Sequence, residues 1–369
     1  MRIKRFTNPV VLSQYGRNAL QAAAINFNRW RDVEFVPRSQ NVLHLETVST
    51  CNLDCVFCAY PKKTSPKVMM ADPLFRGVVG QALDMGYTHF HLTPCTGDVF
   101  MDRRLFNKLE FLETDPRTAG YSFFTNFTVP DAGVIRQMTR LKKLVFIHIS
   151  IYGHDRASFK AVTKSTDKVY DRLLDNLDTL YSVLNDKSFA VETSVKSTRG
   201  GPHKKTDLTT SLARFSRAGV DVRKSTALYN NWGGMVTRED LGGLDMELKG
   251  EEAVYKHGAC RRLFDQIQVM ATGIVNGCAC RDAEATLRIG NLHDTPLKEI
   301  LSPHNKAYMQ LIEEQQRGEF RPVCRSCDFY KSVYKPVIGR KRADFYSIDE
   351  FKQHLDERTV LKRDMPSVA

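Results

Sequence analysis

The chain has 369 residues, 42% of them apolar and 26% charged, which suits one large domain plus a smaller one with a sizeable core. The formal net charge is +12 at pH 7, so an anionic partner stands beside plain solubility as a reading of the excess. No apolar run approaches the roughly 20 residues that span a bilayer, and the opening MRIKRFTNPVVLSQYGRNALQ lacks the continuous apolar stretch of a signal peptide; a cytoplasmic location with no membrane contact is expected.

Residues 1–41 read as an N-terminal extension. From residue 42 onward, apolar strand-like runs alternate with helical patterns. VLHLETV (42–48) is the first strand. DPLFRGVVGQALDMG (72–86) is a helix, with Asp72 as its N-cap and Gly86 at its end. YTHFHLT (87–93) is the second strand and RRLFNKLEFLE (103–113) the second helix. YSFFTN (121–126), DAGVIRQMTRL (131–141) and KLVFIHISIYG (143–153) follow as strand, helix and strand. Residues 155–185 read as largely helical, with Leu173, Leu174, Leu177, Leu180 and Leu184 on one stripe. SFAVETSVKS (188–197) is the fifth strand, SLARFSRAG (211–219) a helix, and VDVRKSTALY (220–229) the sixth strand.

Six strands alternating with helices imply βαβ units and a mainly parallel sheet, hence an α/β fold. In a parallel barrel the chemistry sits at the C-terminal ends of the strands. CNLDCVFC (51–58) follows the first strand and TPCTGD (93–98) the second, so the two loops would share one mouth. NNWGGMVTREDLGGLDM (230–246) is Gly-rich and reads as a linker. Beyond it come a hairpin-like stretch (267–279), a helix from about Pro296 to Gln316, and a charged tail without clear periodicity. Basic residues cluster in GGPHKK (200–205) and YKPVIGRKR (334–342). Neither is interleaved with aromatics as nucleic-acid motifs are, so nucleic acid is not expected.

The nine cysteines are an odd number without a secretion signal, which argues against a disulfide framework. Their clustering argues for metal. Cys51, Cys55 and Cys58 are three thiols where a structural zinc site wants four ligands; His44, His89 or His91 could supply the fourth. An iron–sulfur cube has four irons, so three thiolates leave one iron open. A molecule with an amine and a carboxylate, such as the methionine part of S-adenosylmethionine (SAM), can chelate that iron. SAM is among the cofactors that carry radical chemistry.

The C-x3-C-x2-C spacing at 51, 55 and 58, after the first strand of a βα series and with Phe57 before the last cysteine, resembles the radical SAM superfamily. The resemblance covers residues 42 to about 229 and implies a partial (βα)6 TIM-like barrel over 42–235. It implies that Cys51, Cys55 and Cys58 hold a SAM-binding [4Fe–4S] cluster. Thr96-Gly97-Asp98 stands where the family often has Gly-Gly-Glu contacting the SAM amino group, and departs from it at two positions. Asp98 is also a candidate N-cap. Asn126 matches a common Thr-Asn after the third strand, or closes a turn. Ser150, in Ile149-Ser150-Ile151-Tyr152-Gly153, would lie beside the SAM ribose or carboxylate. Lys164 occupies the stretch of a carboxylate-binding cation, or is a solvated helix lysine.

Cys260, Gly273, Cys278 and the later Cys324-x2-Cys327, with RIGNLHDTPLKEIL (288–301) between, resemble the SPASM/Twitch extension of the same superfamily over about 255–330. The full SPASM form needs about seven cysteines, and the stretch has five. The shorter Twitch form, with one auxiliary [4Fe–4S] cluster on Cys260, Cys278, Cys324 and Cys327, is the expectation for a domain over 236–330, with 331–369 a basic tail. Four thiolates also suit zinc. The resemblance implies SAM cleavage to a 5′-deoxyadenosyl radical and hydrogen abstraction from a small-molecule or peptide substrate. It also implies a flavodoxin- or ferredoxin-type electron donor. Relatives of the 2-deoxy-scyllo-inosamine dehydrogenase type, with one fully ligated auxiliary cluster, point to oxidation of the substrate. Cys95 and Cys280 are either inert thiols or catalytic hydrogen donors of an epimerase. Peptide modification and a non-enzymatic iron–sulfur scaffold or electron carrier stay open.

Overall fold

A computed structural model describes residues 9–360 except 39–40, 93–94, 200, 202–204, 225–227 and 250–253. Most of the GGPHKK cluster and the last nine residues lie outside the described residues. The first element, α1 (Pro9–Trp30), is a 22-residue helix in the segment read only as an extension. β1 (Val36–Pro37) leads into β2 (Val42–Leu45), α2 (Asp72–Asp84), β3 (His89–His91), α3 (Leu105–Thr114), β4 (Gly120–Thr125) and α4 (Ala132–Met138). The series continues through β5 (Leu144–Tyr152), α5 (Arg156–Thr163), α6 (Asp167–Ser182), β6 (Ala190–Lys196), α7 (Asp207–Arg217) and β7 (Asp221–Lys224). β2 to β7 pair in sequence order, all parallel. This is the expected α/β series of six strands in a partial barrel.

After β7 come a short parallel pair, β8 (Leu228–Tyr229) with β9 (Glu247–Leu248), and then α8 (Arg262–Asp265). A hairpin of β10 (Gln268–Val269) and β11 (Ile274–Asn276) is joined by β12 (Arg288–Asn291), all antiparallel. β10 also pairs parallel with β2, so the C-terminal hairpin extends the barrel sheet to nine strands in the order β12-β11-β10-β2-β3-β4-β5-β6-β7. Two-residue strands such as β10 carry no legible alternation, so sequence reasoning placed no such link. α9 (Leu297–Ile300), α10 (Lys306–Gln316) and α11 (Pro322–Ser326) follow. β13 (Phe345–Tyr346) pairs with β1, and α12 (Ile348–Val360) gives the charged tail an ordered helix.

Three boundaries differ from the sequence reading. The helix expected over 155–185 breaks at Lys164, which takes a left-handed φ of 52° as the C-cap of α5. The helix expected over 296–316 splits into α9 and α10, with Asn305 capping the second through a bond from the Ala307 amide. Ala71, not Asp72, is the N-cap of α2; Asp72 sits in the first turn, where its charge suits the helix dipole.

Strand alternation sorts the barrel's two faces. Leu43, Phe90, Phe123, Ile147 and Val191 join one core with Phe75, Val78, Leu109 and Leu173 from the surrounding helices. The other face presents His44, His91 and Ser122 side by side, then Phe124, His148 and Glu192, then Ser150 and Ser194, and last Tyr152 and Lys196. The His44 and His91 rings meet edge to face at 5.1 Å. Burial drives the His44 imidazole down to about 3, with His91 and Arg262 adding repulsion. Burial likewise lowers His91 to about 4. Both imidazoles are therefore neutral at physiological pH.

The turn from β5 to α5 depends on one glycine. Gly153 has φ 75°, and a Cβ there would sit 2.4 Å from the Phe159 amide nitrogen. Gly153→Ala should cost about 2 kcal/mol or more in a urea unfolding experiment, from left-handed strain plus the clash. The histidine pair sets a pH signature. Between about pH 6.5 and 4 the unfolded chain binds protons on these imidazoles that the folded chain refuses, so they make stability fall as pH drops through that window. Thermal melts of the His44→Gln/His91→Gln variant should decline less steeply from pH 7 to 4 than those of the parent, whatever the offset at pH 7.

Candidate cluster sites at the barrel mouth

The loop after β2 carries Cys51, Cys55 and Cys58, and backbone groups hold it from several sides. The Asp54 and Val56 amides donate to the Thr163 and Val162 carbonyls at 3.1 and 2.9 Å, using the open C-terminal end of α5. The Asp98 amide donates to the Thr50 carbonyl at 2.8 Å. Gly97 passes so close that a Cβ would lie 2.9 Å from that same oxygen, and its φ of 120° also favours glycine.

Burial is the main force on all three thiols, and each thiol is pushed up in pKa, Cys51 to about 12. Asp98 and Cys58 add to the effect at Cys51, and Cys58 and Cys51 add at Cys55, so these thiols share one electrostatic neighbourhood. Buried thiols of this kind become good thiolate ligands only when a cationic group balances them. The sulfurs have donors in place. Asn126 Nδ2 points at Cys51 Sγ at 3.7 Å, and the Tyr60 amide donates to Cys58 Sγ at 3.4 Å. Among the described residues no three His, Cys, Asp or Glu side chains converge on a site for a single ion.

Asn126 is fixed by its neighbours. Its Nδ2 donates to Asn52 Oδ1 at 2.9 Å, and its Oδ1 accepts from the Thr128 amide and hydroxyl at 2.9 and 2.6 Å. Asp98 is the N-cap of the short turn over Val99–Met101. Its carboxylate accepts from the Phe100 amide, the Thr125 hydroxyl and the Asn126 amide at 3.0, 2.9 and 2.6 Å. Those three bonds occupy both of its oxygens, so Asp98 ties the third-strand loop to the cysteine loop. Thr96 is buried with no partner for its hydroxyl. Ser150 faces the barrel interior opposite Ser194. Phe57 stacks on Tyr229 at 4.7 Å and meets Tyr152 at 5.3 Å, while its carbonyl accepts from Trp232 Nε1 at 2.9 Å.

Lys164 lies exposed at the end of α5, outside the barrel interior. Among the described residues, Lys196, the last residue of β6, is a cation in the electrostatic neighbourhood of these thiols. Burial lowers its pKa, and the Cys58 and Cys55 sulfurs favour its charge. It stands 5.9 Å from the Phe57 ring and 5.8 Å from the Tyr152 ring. Sequence reasoning passed over Lys196 and Tyr152, although both end strands of the parallel series. The rule that chemistry gathers at strand ends was the available signal.

The second group of thiols has donors in place as well. Cys260 Sγ accepts from the Lys331 amide at 3.5 Å, Cys278 Sγ from the Cys280 amide at 3.4 Å, and Cys327 Sγ from the Phe329 amide at 3.3 Å. Gln315 Nε2 donates to Cys324 Sγ at 3.2 Å. Burial raises all four, and the charges of Cys260, Cys280 and Cys327 recur among the further causes. Hydrogen bonds to sulfur are a standard feature of iron–sulfur ligation, so the residues present fit a cluster at both sites. Cys280 belongs to the same shell. Arg281 Nη1 donates to its sulfur at 3.4 Å, and Arg281 Nε donates to the buried Asp328 at 3.2 Å.

The two sites meet along a seam. Glu284 accepts from the Thr64 and Ser65 amides at 2.5 and 2.9 Å, just past Cys58. Glu46, paired with Lys63 at 3.6 Å in a fully buried ion pair, also accepts from the Ala271 amide at 3.0 Å. Burial raises the pKa of Cys95, and the charges of Glu46, Asp282 and Cys280 add to the effect.

Comparison with known proteins agrees with this geometry. Residues 260–328 match the family model of SPASM, an iron–sulfur cluster-binding domain. No curated protein matches. Among solved structures, BtrN in complex with AdoMet and 2-DOIA is similar at a TM-score of 0.52 and 12% identity, covering 80% of this chain and 96% of that one. SuiB of Streptococcus suis, bound to S-adenosylmethionine, gives 0.49 at 12% identity, covering 92% and 82%. Native anSMEcpe with bound AdoMet gives 0.47 at 15%, covering 87% and 98%. The chain thus has the fold of a radical SAM enzyme, a partial α/β barrel, and carries a SPASM-type iron–sulfur cluster-binding domain at its C-terminal side.

Proposed function

We propose that the protein is a radical SAM enzyme that oxidises a small-molecule substrate in the barrel interior. The observation that carries this reading is the group of three thiols, buried Cys55 and half-buried Cys51 and Cys58, held at the C-terminal end of the parallel strands beside the half-buried cation Lys196. An electron carrier would more simply use four thiolates. Cys51, Cys55 and Cys58 would hold one [4Fe–4S] cluster, and Cys260, Cys278, Cys324 and Cys327 a second. When bound, the first would supply reductive cleavage of SAM to a 5′-deoxyadenosyl radical, and the second an acceptor for the electron that leaves the substrate.

The chain's own residues have separable roles in this reading. Asn126 supplies a hydrogen bond to the Cys51 sulfur and ties it to the third-strand loop. Lys196 is the counter-charge for a carboxylate bound beside the first thiol group, in place of Lys164. Phe57, Tyr152 and Tyr229 exclude water from that side. Ser150 and Ser194 offer hydroxyls on the same face of the sheet as Tyr152 and Lys196, one pleat repeat earlier along the strands. A flavodoxin- or ferredoxin-type donor would supply the reducing electron. A second reading, epimerisation, rests on Cys95, whose thiol would return a hydrogen atom to a substrate radical.

Anaerobic reconstitution should give about eight irons per chain, for two four-iron clusters, and 5′-deoxyadenosine on addition of SAM and dithionite. Cys51→Ala should abolish cleavage, while Cys324→Ala should halve the iron and retain cleavage. Absence of 5′-deoxyadenosine from protein with its iron in place would sink the enzymatic reading. Lys196→Met should raise the SAM concentration for half-maximal cleavage about tenfold or more, as loss of a charge-assisted contact does. It should leave the iron content unchanged, and Lys164→Met should change neither.

A further inference from the structure

Two segments carry most of the chain's net positive charge. Residues 1–31 contain six Lys or Arg and no Asp or Glu, and residues 335–343 contain four and none. Ten of the net +12 charges thus lie in these segments, and the rest of the chain is nearly balanced. A solubility charge would be spread; this one is concentrated.

The fold brings the described end of the first segment, with Arg29 and Arg31, alongside the second. α1 rests on the body through Ile25, which is buried. Asn28 Nδ2 donates to the Tyr334 carbonyl at 3.0 Å, and Lys335 Nζ donates to Gln21 Oε1 at 2.9 Å. The loop over 335–343 therefore starts alongside the helix. On the helix side away from these contacts, Leu20 is 73%, Phe27 54% and Trp30 81% exposed. Spacings of seven and three put these apolar groups on one stripe. Arg29 and Arg31, both exposed, flank Trp30. At the loop tip Ile338 is fully exposed, beside Gly339 at φ 77°, and exposed Arg340, Lys341 and Arg342 follow directly.

We propose that this surface docks on an anionic lipid bilayer, with α1 lying in the interface and Ile338 inserting beside it. The docking is independent of the reaction. Apolar groups ringed by cations, with an indole at the boundary, are the chemistry of an interfacial helix. Attraction to an anionic leaflet acts on each Lys or Arg near the surface and adds across the cluster. Leu20, Phe27, Trp30 and Ile338 protrude, so a protein partner would need matching pockets, whereas fluid lipid needs none. A second copy of this chain would bring the same positive charge and repel. The contact is peripheral, since no described helix is long and apolar enough to cross a membrane. It departs from the absence of membrane contact expected from hydropathy alone, because exposure on one helix face does not register in a sliding average.

The test is co-sedimentation of the full-length protein with vesicles of phosphatidylglycerol and phosphatidylcholine, against phosphatidylcholine alone. Binding should be at least about tenfold stronger to the anionic vesicles, with a blue shift of tryptophan emission that Trp30→Phe removes. Ile338→Glu and Arg340→Glu/Lys341→Glu should each weaken binding about tenfold or more while SAM cleavage in solution is unchanged. Ile338 lies in an exposed loop, so its variant reads out even where changes in α1 perturb folding. Equal binding to both vesicle types overturns the proposal. So does anionic binding that Ile338→Glu leaves intact with Trp30 emission unmoved. Capture of an acidic flavodoxin-type protein through these residues, without vesicle binding, overturns it as well.

Discussion

Two amide hydrogen bonds, from Asp54 and Val56 to the last carbonyls of α5, hold the cysteine loop against the barrel. A helix ends with carbonyls that have no partner within it, and a loop without secondary structure has amides in the same position. Each satisfies the other here. The αL turn at Lys164 ends α5 at the point where those carbonyls face Asp54 and Val56. Gly153 in turn lets α5 start tightly against β5. The position of three thiols thus depends on the length and entry angle of a helix about a hundred residues further along the chain.

The same pairing of leftover backbone groups governs the second loop at the mouth. Gly97 brings the Thr96-Gly97-Asp98 turn into contact with Val48, Ser49 and Thr50, and the Asp98 carboxylate then collects the start of the Asn126 turn. Asn126 closes the circuit by reaching the Cys51 sulfur. The Asp98 carboxylate thus joins three loops, with its oxygens among backbone amides and the Thr125 hydroxyl.

The C-terminal domain is part of the site and not an appendage. β10 adds to the edge of β2, the strand that leads to the first thiol group, and the Glu284 and Glu46 carboxylates join the two domains beside it. The Glu46–Lys63 pair and the bond from the Ala271 amide make that join buried and polar, whereas the Glu284 bonds to Thr64 and Ser65 lie nearer the surface.

Cysteine spacing and strand alternation were enough to read the six parallel strands, the two thiol groups and the presence of both sites from the amino-acid order, because those signals are local. The short antiparallel hairpin was legible too, as the hairpin-like stretch over 267–279. What tertiary structure alone decided was which groups face those thiols. Lys164 and Lys196 are equal as letters; a left-handed cap turns one outward, and the pleat of β6 turns the other inward. Likewise, nothing in a two-residue strand announces that β10 will extend the barrel sheet, since its pairing partner β2 lies more than two hundred residues earlier. Local periodicity determines elements, but the direction of a side chain at the mouth is set by packing between elements distant in sequence.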